Sequence, residues 1–291
     1  MSARNRLAIS FSGGRTSAVM TKLLIEKYRG SDVEVSVTFA NTGCEHPATL
    51  DFIRRCDKEF KFGTVWLEGV AGPEGVGMRH KVVDFETACR NGSVFEEYIS
   101  KYGIPGPSHP QCTSRLKEEV MYDYRRSLGW HHKSYYTAIG IRADEADRCS
   151  AKAKEKGFIY PLVEMGITKD MVKAECGKWP FDLELPGDHY GNCVWCWKKS
   201  MRKLMTVAKD TPEWFDFPAE MERKYSRHKQ PDDQPDRRFF RKYMSAKDVV
   251  EASKGKFMPY EDSRQMNFFE MDDFLDYGSG CGESCEIGSD V

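Results

Sequence analysis

The chain has 291 residues, with 44 basic and 45 acidic side chains and a formal net charge of −1. That balance excludes a global polycation that would bind nucleic acid by charge alone, and no uncharged apolar run is long enough to cross a bilayer. Ten cysteines, in a chain that runs straight into a strand with no room for a signal peptide, predict a cytoplasmic protein that uses some thiols for metal, cluster or redox work.

Leu7-Ala8-Ile9 is apolar and reads as the first strand. Ser10-Phe11-Ser12-Gly13-Gly14-Arg15-Thr16-Ser17 follows directly, and Thr16 to Tyr28 reads as a helix, with Val19, Met20, Leu23 and Leu24 near helical spacing. A Ser/Gly turn between a strand and a helix start is built to hold phosphate. Glycines let the backbone approach the anion, the helix N-terminus adds partial positive charge, and Ser12, Thr16 and Ser17 add hydroxyl donors. No Gly-Lys-Ser/Thr is present, so this is not a Walker A loop, and the dinucleotide pattern Gly-x-Gly-x-x-Gly is absent from it. The alternative is an ordinary glycine turn.

Val33 to Phe39 is a second buried strand by its β-branched character, ending in Asn41-Thr42-Gly43-Cys44-Glu45-His46-Pro47. Tyr135 to Ile141 is a third strand, leading into Gly140-Ile141-Arg142-Ala143-Asp144-Glu145-Ala146-Asp147-Arg148. Alternating strands and helices predict an α/β fold, a doubly wound and mostly parallel sheet with ligands beyond the carboxyl ends of the strands. The predicted organisation is a nucleotide-binding domain over 1–165, a helical cysteine-bearing region over 166–225, and a C-terminal extension over 226–291. Residues 226–238 read as a polar, proline-containing linker, and the last stretch, from Gly278, is a mobile tail.

The Ser-Gly-Gly-x-x-Ser run resembles the pyrophosphate loop of the N-type ATP pyrophosphatases. Asn41 to Ile53, Gln111-Cys112-Thr113-Ser114-Arg115-Leu116-Lys117, Gly140 to Arg148, and Tyr160-Pro161-Leu162 with Gly166 to Val172 resemble, in order, segments of the phosphoadenosine phosphosulfate (PAPS) reductases. Together they resemble the PAPS reductase-like branch of the adenine-nucleotide pyrophosphatase superfamily, close to the DNA phosphorothioation sulfurtransferases. The resemblance implies an adenine nucleotide, ATP with Mg2+ or PAPS, held by Ser10, Ser12, Gly13, Gly14, Arg15, Thr16, Ser17, Asn41, Thr42, Gly43 and Gly140. Arg142 and Arg148 suit the charge of a leaving group, because arginine binds oxyanions bidentately and stays charged. Lys117 supplies a further charge. The alternative makes both arginines partners of Asp144, Glu145 and Asp147 on a solvated loop. Glu45 and Asp144 are weaker candidates for a magnesium ion, and His46 and His109 read as ordinary loop histidines.

Cys193-Val194-Trp195-Cys196 is the chain's Cys-x-x-Cys. Thiolates suit an iron–sulfur cluster or zinc. The resemblance implies a [4Fe–4S] cluster first and structural zinc second, with Cys112 as third ligand, Cys176 as fourth from its place close upstream, and Cys44 as a further candidate. A redox pair and an inert buried pair remain open. Cys56, Cys89 and Cys149 read as buried and inert. Cys281 and Cys285 lie in a polar tail that departs from the Glu-Cys-Gly-Leu/Ile-His tail of PAPS reductases.

Three functions follow. The first is an enzyme that adenylates an acceptor, releases pyrophosphate and transfers sulfur from a donor, with a tRNA or DNA acceptor among the candidates. The second is reduction of PAPS or its unphosphorylated analogue by a tail thiolate, Cys281 or Cys285, restored by a thiol reductant. The third is a non-enzymatic nucleotide or nucleic-acid binding module, using Lys198 to Lys203 and Arg237 to Lys242 interleaved with Trp195, Trp197, Phe239, Phe240 and Tyr243.

Overall fold

A computed structural model describes residues 5–261. A six-stranded sheet runs in the order β4-β3-β2-β1-β5-β6. The strands are β1 (Arg6–Ser10), β2 (Glu34–Asn41), β3 (Val65–Ala71), β4 (Met78–Val83), β5 (Tyr136–Ala138) and β6 (Phe158–Ile159). All neighbours pair in parallel except β3 and β4, which are antiparallel. The helices are α1 (Arg15–Tyr28), α2 (Pro47–Phe60), α3 (Ser93–Tyr102), α4 (Glu119–Ser127), α5 (Ala153–Lys156), α6 (Pro161–Glu164), α7 (Lys169–Cys176), α8 (Met201–Asp210), α9 (Asp216–Tyr225) and α10 (Ala246–Ser253). The expected mostly parallel α/β sheet is present, and the antiparallel hairpin of β3 and β4 adds an edge to it.

β1 is central because both of its faces are apolar. Leu7 and Ile9 point into a core with Val37 and Phe39 of β2, Met20 and Leu24 of α1, and Leu50 and Ile53 of α2. Ala8 points to the opposite face, against Trp130 and Tyr135. A strand covered on both sides reads as a continuous apolar run, and Leu7-Ala8-Ile9 is that run. The second large core holds Leu67, Tyr98, Val120 and Met121 together with Trp195, Leu204 and Val249. It crosses the boundaries drawn at 165 and 225, so α8 and α10 complete the same layer that α3 and α4 begin.

Two expectations change. The strand predicted over Tyr135 to Ile141 is confined to Tyr136–Ala138. Ile139 still donates to Ile159 O at 3.1 Å, but Ile141 then donates to Ile139 O at 2.9 Å, a tight turn that ends the strand before Arg142. The polar stretch 226–238 is tied down rather than loose. Arg237 N donates to Ser226 O at 2.8 Å, and its Nη1 to Tyr102 O at 3.1 Å.

The chain leaves β1 in one direction through β2, β3 and β4 and returns on the other side of β1 for β5 and β6. This reversal opens a crevice at the carboxyl end of β1, where ligands of open α/β sheets bind. Gly13 sits there with φ of 84°, and a Cβ on it would stand 2.7 Å from Thr49 Cγ2 and 2.9 Å from Ile53 Cδ1. Gly13→Ala is therefore expected to cost about 1–3 kcal/mol from backbone strain and the α2 collision. Urea unfolding measures this, and a change below about 0.5 kcal/mol would contradict the packing described.

Candidate functional site

Ser12, Ser17 and Gly14 close the turn after β1. Ser12 N donates to Ser17 Oγ at 3.2 Å, the two hydroxyls meet at 2.8 Å, and Ser17 Oγ donates to Gly14 O at 3.0 Å. Gly14 is the N-cap of α1 and supplies no side-chain cap, so the helix opens onto the crevice through its backbone. Ser10 stands just below, with its Oγ 3.8 Å from Met121 Sδ on α4.

The loop after β5 reaches this turn. Arg142 Nη1 donates to Thr16 Oγ1 at 3.2 Å. The same guanidinium pairs with Asp144 at 3.1 Å and Glu145 at 3.2 Å, and Arg148 pairs with Glu145 at 2.8 Å. Burial pushes the Asp144 carboxyl up, but Arg142 outweighs it and holds the group below the usual carboxylate range. Asp144 and Glu145 are thus ion-pair partners, as the alternative expects, and they fix Arg142 against α1. Gly140 is buried at the strand end beneath it.

Arg15 is placed differently from expectation. Its guanidinium makes a bidentate pair with Asp182 at 2.7 and 2.9 Å and donates to Leu183 O at 2.7 Å. It clamps the 182–183 segment to α1, so what it brings to the crevice is backbone. Asp182 is the residue that sequence reasoning missed as an organiser of the site. A lone acid far along the chain gives no local signal of the arginine it will hold.

The end of β2 is rigid. Asn41 Nδ2 donates to Glu68 Oε1 at 2.7 Å and Cys89 O at 2.9 Å, while its Oδ1 accepts from Gly43 N at 3.2 Å. Gly43 has φ of 77°, and Cys89 Sγ lies 2.6 Å from where its Cβ would be. Glu45 accepts from Thr42 N at 3.0 Å, Thr42 Oγ1 at 2.8 Å and Cys44 N at 3.2 Å. Glu45 therefore ties the loop together and Asp144 holds Arg142, so neither is arranged as the magnesium ligand anticipated for it. His46 is more than a loop histidine. Its Nδ1 accepts from Ala48 N at 3.2 Å as the N-cap of α2.

Cys193 joins this loop. Its Sγ lies 3.4 Å from Thr42 Oγ1, Glu45 pairs with Cys193 as an isolated antiparallel bridge, and Val194 N donates to Cys44 O at 3.0 Å. Burial pushes the Cys193 thiol well up, Glu45 pushes the same way, and Lys117, itself buried, opposes. Lys117 thus faces the Cys193 region. Burial first, then Cys193 and Glu45, also raise Cys44.

Cys196 and Cys44 share the core that contains Cys193, and Cys112 packs at its edge near Tyr98. Cys176 does not join them. It ends α7 in a separate cluster with Val19 and Val172, which corrects its assignment as fourth ligand. Closeness in sequence failed because α7 packs against α1, on another part of the molecule. Among the described residues no group of three or more His, Cys, Asp or Glu side chains is arranged to hold a metal ion. Among the described residues the donor set of a [4Fe–4S] cluster or tetrahedral zinc is therefore not shown. Cys56 is buried as expected, whereas Cys89 and Cys149 are only partly so. Cys281 and Cys285 lie outside the described residues.

The basic and aromatic stretches also differ from a nucleic-acid surface. Trp195, Trp197, Phe239 and Phe240 are buried. Lys199 is fully buried and donates to Cys193 O at 3.0 Å and Val194 O at 2.7 Å, and Arg202 donates to Pro259 O at 2.8 Å. These two cations satisfy backbone carbonyls and so are not free for phosphate contacts. Tyr243 alone of those five aromatics is exposed.

Residues 6–74 match the family model of the phosphoadenosine phosphosulfate reductase domain. Over 209 residues the chain is 34% identical to an uncharacterized nin region protein of Escherichia phage lambda, covering 69% of each. Over 163 residues it is 31% identical to an uncharacterized protein of Methanocaldococcus jannaschii, covering 53% of this chain and 32% of that one. A crystal structure of PAPS reductase from Candida auris, a phosphate complex, aligns with a TM-score of 0.36 and 19% identity over 59% of this chain and 71% of that one. The chain belongs to the PAPS reductase-like superfamily. No helix among the described residues is long and apolar enough to cross a membrane.

Burial and Lys199 hold the His46 imidazole below its ordinary value. The unfolded chain therefore takes up a proton near pH 6.5 that the folded chain refuses until lower pH. The stability this confers is complete above about pH 6.5 and declines as pH falls toward the folded value. His46→Asn keeps a cap acceptor without titrating there. Its urea midpoint is expected to change less than the wild type's between pH 7.5 and 5.5, and equal changes in both proteins would contradict the lowered value of His46.

Proposed function

We propose that the protein is an enzyme that binds an adenine nucleotide at the carboxyl end of β1 and uses ATP to adenylate an acceptor in a sulfur-transfer reaction. The observation that carries this reading is the meeting of Arg142 with Thr16 across the crevice, 3.2 Å from Nη1 to Oγ1. It places an always-charged bidentate donor beside a helix N-terminus and a glycine turn, three features that favour polyphosphate. In the reaction an acceptor oxygen attacks the α-phosphorus of ATP and the bond to pyrophosphate breaks. A sulfur nucleophile from a donor then attacks the activated centre, and AMP leaves. Arg142 would hold charge building on the leaving pyrophosphate. Arg148, anchored through the shared Glu145, would keep Arg142 in place. The Ser12 and Ser17 hydroxyls, bonded to each other, would hold the turn in shape.

The second reading, reduction of PAPS, is favoured by the domain match over 6–74. It needs a thiolate that attacks the sulfate sulfur. Cys193 and Cys44, buried thiols beside the β2 loop, are pushed up, and Cys281 or Cys285 is the thiol this reading assigns to the attack.

Calorimetric titration of anaerobically purified protein with Mg-ATP and with PAPS separates the readings. Tighter binding of ATP is expected, and R142A is expected to weaken it about 10- to 100-fold, the loss of a charge-assisted hydrogen bond of roughly 1.5–3 kcal/mol. A strong preference for PAPS would overturn adenylation, and unchanged ATP affinity in R142A would overturn the role of Arg142.

A further inference from the structure

A second cavity, of about 370 Å³, lies between α4 and the β5–β6 edge of the sheet. Its walls include Tyr122, Tyr135 and Phe158, and Arg125 forms part of its lining. Arg125 is only 5% exposed. Its Nη2 reaches Thr38 Oγ1 at 3.4 Å and Met121 Sδ at 3.9 Å, both long contacts, and the Tyr135 side chain bonds it as well. Its Nε is buried without an acceptor, and among the described residues no carboxylate pairs with it. A guanidinium taken out of water is costly unless an anion compensates. Glu118 and Glu119 also line the cavity, but Glu119 is committed to Arg115 at 3.1 Å and to Met78 N at 3.0 Å.

Lys133 stands in the lining with φ of 65°. It occupies the third position of a turn closed by Ser134 N donating to His131 O at 3.0 Å. A left-handed backbone at that turn position ordinarily calls for glycine or asparagine. A lysine held there at some cost in strain adds positive charge to the cavity.

We propose that this cavity binds a small organic oxyanion, a carboxylate or phosphate monoester with an aromatic or apolar body. Arg125 neutralises the anionic head, Lys133 adds a second cation, and the aromatic walls take the body. The site is separate from the crevice after β1. Met121 stands between them, with its sulfur 3.8 Å from Ser10 Oγ and 3.9 Å from Arg125 Nη2. The inference does not rest on the nucleotide reading.

Protein carrying 13C-methyl methionine, with the Met121 resonance assigned through M121L, is titrated with phenyl phosphate and with inorganic phosphate. A saturable shift of the Met121 methyl is expected, tighter for phenyl phosphate. R125Q is expected to weaken it at least about tenfold and K133A about threefold, while R142Q leaves it unchanged. A Met121 methyl that stays fixed at millimolar phenyl phosphate would overturn the proposal. So would an equal titration in wild type, R125Q and K133A, or a loss in R142Q as large as that in R125Q. If R125Q does not fold, K133A and F158A decide: weakening in both supports the site, and unchanged titration in both overturns it.

Discussion

Gly13 leaves β1 with φ of 84° while Thr49 and Ile53 of α2 press to within 3 Å of where a Cβ would be. Only glycine meets both demands, and the crevice depends on it. The left-handed step lets the chain turn at once from the central strand into α1. It points the start of α1 at the space where the sheet reverses direction. The close seat on α2 also locks the first turn to the loop after β2, since α2 begins only a few residues beyond Gly43 and Glu45. Two strand ends are thereby fixed relative to each other before any ligand arrives.

Charge is then arranged on this frame by acids that hold arginines in place. Glu145 is shared by Arg142 and Arg148, and Asp182 fixes Arg15 in a bidentate pair. The guanidiniums are half-buried, so each pair gains in Coulomb energy and loses in desolvation. Their worth is positional, because a guanidinium already held in place loses less freedom when an oxyanion meets it. Arg142 is the cation so placed at the helix start, and the two carboxylates that hold it balance its charge; in the proposed function it is the group that would meet the nucleotide's phosphates. Cys193 and Glu45 serve the neighbouring loop as structural members: a protonated thiol and a carboxylate saturated with hydrogen bonds fill the base of the β2 end.

Much of the frame was legible because its signals are local. Leu7-Ala8-Ile9 followed by Ser-Gly-Gly states a buried strand and an abrupt turn, and Val33 to Phe39 states the next strand. What depends on distant contacts was not legible. Met78–Val83 has an ordinary polar pattern, and only pairing with β3 makes it a strand. Cys176 stands near Cys193 in sequence, yet α7 carries it to a different core. Lys199 and Arg202 resemble surface cations until the carbonyls that they satisfy come into view. Asp182 gave no sign of the arginine that it would hold, whereas Glu145 could be read as a partner of Arg142 and Arg148 from its place on the same loop. Arg142 was legible as a charge at a strand end, but its contact with Thr16 exists only because the strand order puts β5 beside β1.

In the proposed function the turn after β1 and Arg142 form a single oxyanion site. A crystal structure grown with saturating Mg-ATP or inorganic pyrophosphate tests it directly. Phosphate oxygens are expected within about 3 Å of the backbone N–H groups of Gly14 and Thr16 and of the Arg142 guanidinium. Phosphate bound elsewhere, with the Ser12 to Ser17 turn untouched and Arg142 still resting on Thr16, would contradict it.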